Sequence, residues 1–256
     1  MIEFRNITKK YDSTVALKDI NFKIHNGQIF GLIGHNGAGK STAIKILVSI
    51  LNPTEGEVFV DDKELTEYRS EIKKQIGYVA DTPNVFLRLK ASEYWELMGT
   101  AYNIPEDQYL KRLNYYSELF EIDTHSDELI ESFSHGMRQK TFLVGALLAN
   151  PKIWVLDEPM TGLDPQATYD LKKMMREHAD NGNIVLFSTH NLEHAQELCD
   201  KILILRRGHI LYQGTIEDLQ AQNENETLER IYLRMAGRDA KENTNETEDI
   251  VEDGEL

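Results

Sequence analysis

Residues 34–41 read Gly-His-Asn-Gly-Ala-Gly-Lys-Ser, and Thr42 follows. Glycines, a lysine and a hydroxyl in this order suit one task, which is to hold a string of phosphates. Gly34, Gly37 and Gly39 let backbone amides turn inward without a Cβ in the way. The amides of this run, His35, Asn36, Ala38 and Thr42 included, would form an anion site with the start of a following helix. The spacing fits G-x-x-x-x-G-K-S/T, the P-loop pattern. Lys40 is predicted to reach the β- and γ-phosphates, and Ser41 Oγ to offer Mg2+ a hard oxygen ligand. Such a site needs an acid at the end of a neighbouring strand, and residues 153–159, IWVLDEP, supply two. Asp157 is predicted to hold Mg2+, directly or through a water. Glu158 can point to the far side of the γ-phosphate and accept a proton from an attacking water.

These groups need strands to carry them. Residues 29–34, IFGLIG, are short, apolar and bounded by glycines, which predicts a buried parallel strand before the P-loop. Residues 43–51, AIKILVSIL, have helical spacing and stop at Asn52-Pro53. Upstream, IEFRNITKKY and VALKDINFKIH alternate roughly, as half-buried strands do. GEVFVDDKEL predicts a hairpin strand and IGYVAD a second short buried strand. Between about 86 and 150 the apolar period changes to three and four, at Tyr94, Leu97, Met98 and Ala101, then Leu110, Leu113, Tyr116 and Leu119. That predicts a helical insert. Strands return with IWVLDEP and NIVLFSTH, with the helix DLKKMMREHA between them. The helix LEHAQELC then leads into KILILRRGHILYQG. Strand alternating with helix argues for an α/β chain with a mostly parallel sheet.

Composition bounds the partners. The chain has 256 residues and a formal net charge of −15, which disfavours nucleic acid as a partner. From Glu242 onward there are acids but no Lys or Arg. Residues 219–236 are expected to form a short helical extension, with Leu228, Ile231, Tyr232 and Met235 on one side. Residues 237–256 are expected to form an acidic, disordered tail. The start, MIEFRNITKKY, has no apolar stretch of a leader. No window reaches the roughly 18 apolar residues of a spanning helix. The single cysteine, Cys199, excludes an internal disulfide and is expected to be a buried, inert thiol, in keeping with a reducing cytoplasm. The N-x-Thr sequences at Asn6, Asn225 and Asn245 then have no export route to make them matter.

Other motifs narrow the reading. Residues 132–140, SFSHGMRQK, close the helical insert just ahead of an apolar run. Over residues 2–217 the order of elements resembles the ATP-binding cassettes of ABC transporters. The resemblance implies a P-loop NTPase (RecA-like) core with an N-terminal antiparallel β subdomain and a helical insert, the whole cassette spanning 1–218. It implies that residues 133–137 occupy the family's signature motif, usually LSGGQ. Ser134, Gly136 and Met137 would then face ATP held by a second cassette. A serine at a helix start is also an ordinary N-cap. Tyr11 resembles the aromatic that stacks on adenine. Residues 161–164, ending in Asp164, resemble the D-loop at the seam between two cassettes. His190 resembles the switch histidine that contacts the γ-phosphate. The implied ligands are ATP and Mg2+. The implied partners are a second cassette, identical or not, and an integral membrane subunit that docks around residues 81–88. The implied location is cytoplasmic, on the inner face of the membrane.

Two residues depart from the family pattern. His135 stands where glycine is usual and adds bulk beside a phosphate. Asp81 stands where glutamine is usual. It can ligate Mg2+ but cannot donate a hydrogen bond as glutamine does. A weakly hydrolysing, nucleotide-dependent binding module therefore stays open, as does a cassette acting on ribosomes or DNA without transport. The signature and the short tail resemble the exporter-type branch. Residues 190–194, His-Asn-Leu-Glu-His, also fit a zinc-protease pattern. Zinc would need both histidines on one helical face, and His190 is expected to end a strand while His194 lies on the surface of a helix.

Overall fold

The computed structural model describes residues 1–81, 85–223, 226–235 and 237. Two sheets organise the chain. β1 (Ile2–Tyr11), β2 (Thr14–Ile24), β4 (Glu55–Val60) and β5 (Lys63–Glu64) form an antiparallel sheet in the order β2-β1-β4-β5. β3 (Ile29–Ile33), β6 (Ile76–Val79), β7 (Ile153–Asp157), β8 (Ile184–Thr189), β9 (Lys201–Arg206) and β10 (His209–Gly214) form the second, in the order β10-β9-β3-β8-β7-β6. Its strands run parallel except for the antiparallel β9–β10 hairpin. β3, β7 and β8 are buried at every residue, which is why their sequences are continuous apolar runs rather than alternating ones.

α1 (Lys40–Leu47) starts directly after the glycine-rich turn. It stops before the expected end at Leu51. Ser49 turns left-handed, with φ 61, and the amides of Ile50 and Leu51 fold back onto the Lys45 carbonyl. The apolar run therefore continues past the helix, as a turn. The short α2 (Arg69–Lys73) precedes β6.

Between β6 and β7 lie α3 (Ala91–Ala101), α4 (Glu106–Leu119) and α5 (His135–Leu148). α5 is the hub: the Trp95 indole on α3 donates to the Thr141 carbonyl at 3.0 Å. Two members of the expected apolar faces, Leu97 and Leu110, are 41% and 49% exposed. Contact with α5 needs only the narrower stripe around Tyr94 and Trp95 on α3 and Leu113 and Tyr116 on α4.

α6 (Pro165–Asp180) and α7 (Leu192–Leu198) connect the later strands. α8 (Ile216–Ala221) and α9 (Leu228–Met235) close the described chain. α8 begins ahead of the expected extension, capped by Thr215, whose hydroxyl accepts from the Asp218 amide at 3.0 Å. Leu228 and Ile231 of α9 are buried against Ile202 and Ile204 of β9, with Tyr232 and Met235 packed beside them. The expected acidic tail falls outside the described residues except for Gly237. Among the described residues, no helix is long and apolar enough to cross a membrane.

Three adjacent parallel strands end at one edge of the sheet. Ile33 pairs with Thr189, and Asp157 with Ser188. This edge brings the P-loop, the acid pair and His190 together, where ligands of open α/β sheets collect.

Candidate functional site

The turn from β3 into α1 frames a cavity of about 570 Å3, lined by residues 14–16, 35–42, Asp81, Glu158 and Arg207. Gly39 has φ 113, a conformation that L side chains rarely adopt, and a Cβ there would press against Leu17 and the Ala16 carbonyl. The glycine lets the chain turn into α1, whose first residues line the cavity. Lys40 is buried, and its ammonium donates to the Gly34 carbonyl at 2.6 Å.

The same ammonium stands 3.2 Å from Glu158 Oε1. The other carboxylate oxygen, Oε2, meets His190 Nδ1 at 2.9 Å. Glu158 is thus held between a lysine from the P-loop and a histidine from the end of β8. Its backbone lies at φ 48, a left-handed conformation for a residue with a side chain, of the kind that concentrates at functional sites. Its amide donates to Ser188 Oγ at 3.0 Å.

Asp157 is buried at the end of β7 and accepts from Ser188 Oγ at 2.5 Å. Burial raises its pKa, and the neighbouring carboxylates of Asp81 and Glu158 add to the rise. Hydrogen bonds from Ser188 and Ser41 oppose it. Burial, Asp157 and Asp81 likewise push up the pKa of Tyr78 on β6. Negative charge is therefore crowded at this end of the cavity around the Ser41 hydroxyl. That is a set of hard oxygen donors which a divalent cation would relieve.

Tyr11 ends β1, is 41% exposed and has the Lys9 ammonium 5.2 Å from its ring centre. It pairs with Thr14, at the rim of the cavity, and is not itself a lining residue. Ser134, Gly136, Met137 and Asp164 lie away from the cavity. Ser134 is exposed at the start of α5, where its hydroxyl accepts from the Met137 amide at 3.2 Å. It is an N-cap within its own chain, and its exposure leaves it open to another. Asp164 caps α6 through the Ala167 amide at 2.8 Å and pairs with Lys140 of α5 at 2.7 Å. These two contacts lower the Asp164 pKa. Gly136 lies so close to the Gly162 carbonyl that a Cβ would come within 2.4 Å of it, and the His135 ring lies over Gly162. The start of α5 and residues 161–164 thus pack against each other.

Sequence reasoning missed Ser188, which touches both acids. A polar residue inside the apolar run NIVLFSTH, in register with Asp157, was its only signal. The zinc reading is not supported. Asn191 caps α7 and separates His190 from the helix, so the two histidines do not share one helical face. His194 lies on α7 and is half-buried, and burial lowers its pKa. Cys199 packs against Gly31, and burial pushes its thiol well up, as expected of an inert sulfur.

The sequence profile described as ABC transporter matches residues 17–161. The ABC-type transporter ATP-binding protein EcsA of Bacillus subtilis is 33% identical over 242 residues, covering 94% of this chain and 98% of its own length. A solved structure described as the ATP binding subunit of an ABC transporter superimposes with a TM-score of 0.86 at 31% identity, over 92% of this chain and 99% of that one. The dimeric, post-hydrolysis ATP-binding cassette MJ0796 bound to ADP and Pi matches with a TM-score of 0.77 at 25% identity, over 84% of this chain and 99% of that one. A cradle for phosphates, an acid pair at its far wall and these matches along nearly the whole length lead to one assignment: the chain belongs to the ABC transporter family, as one of its ATP-binding, ATP-hydrolysing cassettes.

Proposed function

We propose that this cassette works as half of a pair, with two ATP molecules at the shared seam, and that opening and closing of the pair drives a separate membrane subunit. The observation that carries the reading is the position of Glu158 between Lys40 and His190. The incoming γ-phosphate takes over from Glu158 as counter-ion of Lys40. The carboxylate, still oriented by His190, is then free to accept the proton of the attacking water. Lys40 and the amides of the P-loop stabilise charge on the transferring phosphoryl group. Ser41, Asp157 and Asp81 would hold Mg2+, which supplies further neutralisation of that charge. Tyr11 stacks on the adenine.

Ser134, Gly136 and Met137 at the exposed start of α5 present a hydroxyl and a positive helix end to ATP on the partner cassette, with Asp164 at the same seam. The γ-phosphate then acts as a ligand of the closed pair, and its loss reopens the pair. The partner cassette is a second copy or a sibling. The membrane subunit docks near residues 81–88, which puts the chain on the cytoplasmic face of the membrane. The resemblance of the signature and of the short C-terminal extension to exporter-type cassettes supports outward transport.

Glu158→Gln tests the reading. The variant should bind ATP, lose about 10²–10⁴-fold in turnover and accumulate as an ATP-dependent dimer in size-exclusion chromatography. Ordinary turnover in Glu158→Gln would remove Glu158 as the base. A variant that stalls yet stays monomeric with ATP would remove the two-chain site.

A further inference from the structure

We infer that Arg207 is a nucleotide-binding residue of this cassette, which holds the α-phosphate in the cavity that it lines. The inference rests on the cavity being the ATP site. Arg207 lines that cavity but belongs to none of its motifs. It comes from the hairpin between β9 and β10, some 170 positions beyond the P-loop in sequence.

The turn is fixed against the P-loop from outside. The Gly208 amide donates to the Ala38 carbonyl at 2.9 Å, and the Gly208 carbonyl accepts from the Lys18 amide at 2.9 Å. A side chain on Gly208 would run into the Ala16 carbonyl. The hairpin tip is therefore fastened both to the start of β2 and to the middle of the P-loop. Asp81 and Glu158 line the same cavity, Glu158 beside the Lys40 ammonium.

The turn itself indicates selection for something other than stability. Arg206 pairs with His209, so Arg207 and Gly208 are the two turn residues, with φ 47 and 78. Two-residue turns with both φ values positive favour Asn-Gly or Asp-Gly, because a longer side chain is strained there. Arginine occupies the strained first place. Its guanidinium makes no hydrogen bond or ion pair with any described residue. The neighbouring Arg206, by contrast, donates to the Met235 carbonyl at 3.3 Å. Arg207 is thus an exposed arginine without an acidic partner that lines an anion site, in a chain with a net charge of −15. The β- and γ-phosphates fall to Lys40 and the start of α1. The next anionic group along a nucleotide is the α-phosphate, and a guanidinium matches a phosphate with two parallel donors.

The test is equilibrium binding of MgADP and MgATP to the full chain, its Arg207→Ala variant and its Arg207→Lys variant. Arg207→Ala should weaken both nucleotides by about tenfold, and by the same factor, since both carry the α-phosphate. Arg207→Lys should recover part of the loss, because it keeps the charge but not the fork. The inference is overturned if Arg207→Ala binds MgADP within twofold of the wild type. It is also overturned if Arg207→Ala loses affinity for MgATP alone, which would mean a γ-phosphate contact. A lysine variant as weak as the alanine variant would overturn it too, in favour of stacking on the base. Failure of the wild-type chain to bind MgADP at all would instead remove the cavity as the nucleotide site.

Discussion

Ser188 and Asp157 meet across neighbouring strands, with the serine hydroxyl donating to Asp157 Oδ1 at 2.5 Å. The same hydroxyl accepts the Glu158 amide at 3.0 Å. One fully buried side chain therefore contacts both acids. Its removal leaves Asp157 buried with one hydrogen bond fewer, and the Glu158 amide without its acceptor.

Ser188→Ala should consequently lower kcat by about 10- to 100-fold, the usual effect of losing a group that orients a metal ligand. On the proposed metal role of Asp157, it should also raise the Mg2+ concentration at half-maximal activity, because a less well-oriented carboxylate would hold the ion less tightly. ATPase rates measured across a Mg2+ titration check both effects. An unchanged titration midpoint would place Asp157 away from the metal.

The close packing of Gly136 on Gly162 has a different consequence. A Cβ at residue 136 would lie 2.4 Å from the Gly162 carbonyl, which is backbone and cannot swing aside. Gly136→Ala must push α5 and residues 161–164 apart, at a cost of about 1–3 kcal/mol for an overpacked site. Calorimetry should record a lower Tm. The P-loop lies elsewhere, so the Kd for ADP should hold while turnover falls. Equal melting and equal turnover would show that the two segments slide freely.

How far the sequence discloses this site depends on distance along the chain. The P-loop is legible because its glycines, lysine and hydroxyl are contiguous and each meets a local need. The acid pair is legible because it ends an apolar run of strand length. Glu158 as a neighbour of Lys40 is not, since 118 positions separate them and only the strand order joins them. Ser188, Arg207 and the Lys140–Asp164 pair are hidden for the same reason: their partners are set by register and by where a hairpin lands. Local structure was misread where apolar periodicity outran the helix. The run to Leu51 looks helical, but the left-handed Ser49 ends the helix at Leu47. Asp81 and His135 are visible as departures, and the fold gives each a neighbour, the Asp157 carboxylate for one and Gly162 for the other.

A final prediction concerns stability rather than catalysis. His178 on α6 sits edge-on to the buried Trp154, with ring centres 5.6 Å apart and planes at 70°. Burial lowers its pKa, only partly offset by a hydrogen bond to the Pro151 carbonyl. The folded chain thus takes up a proton on this ring only at a lower pH than the unfolded chain, which does so below about pH 6.5. Its contribution to stability is present above that pH and is lost as the pH falls through the lower folded-state value. Removing the titrating group removes that slope. His178→Gln should show a smaller fall in Tm than the wild type between about pH 7.5 and about pH 5, whatever its Tm at neutral pH. Thermal melts at several pH values decide it. Parallel curves for the two proteins would mean that the ring takes up its proton as readily in the folded chain as in the unfolded one.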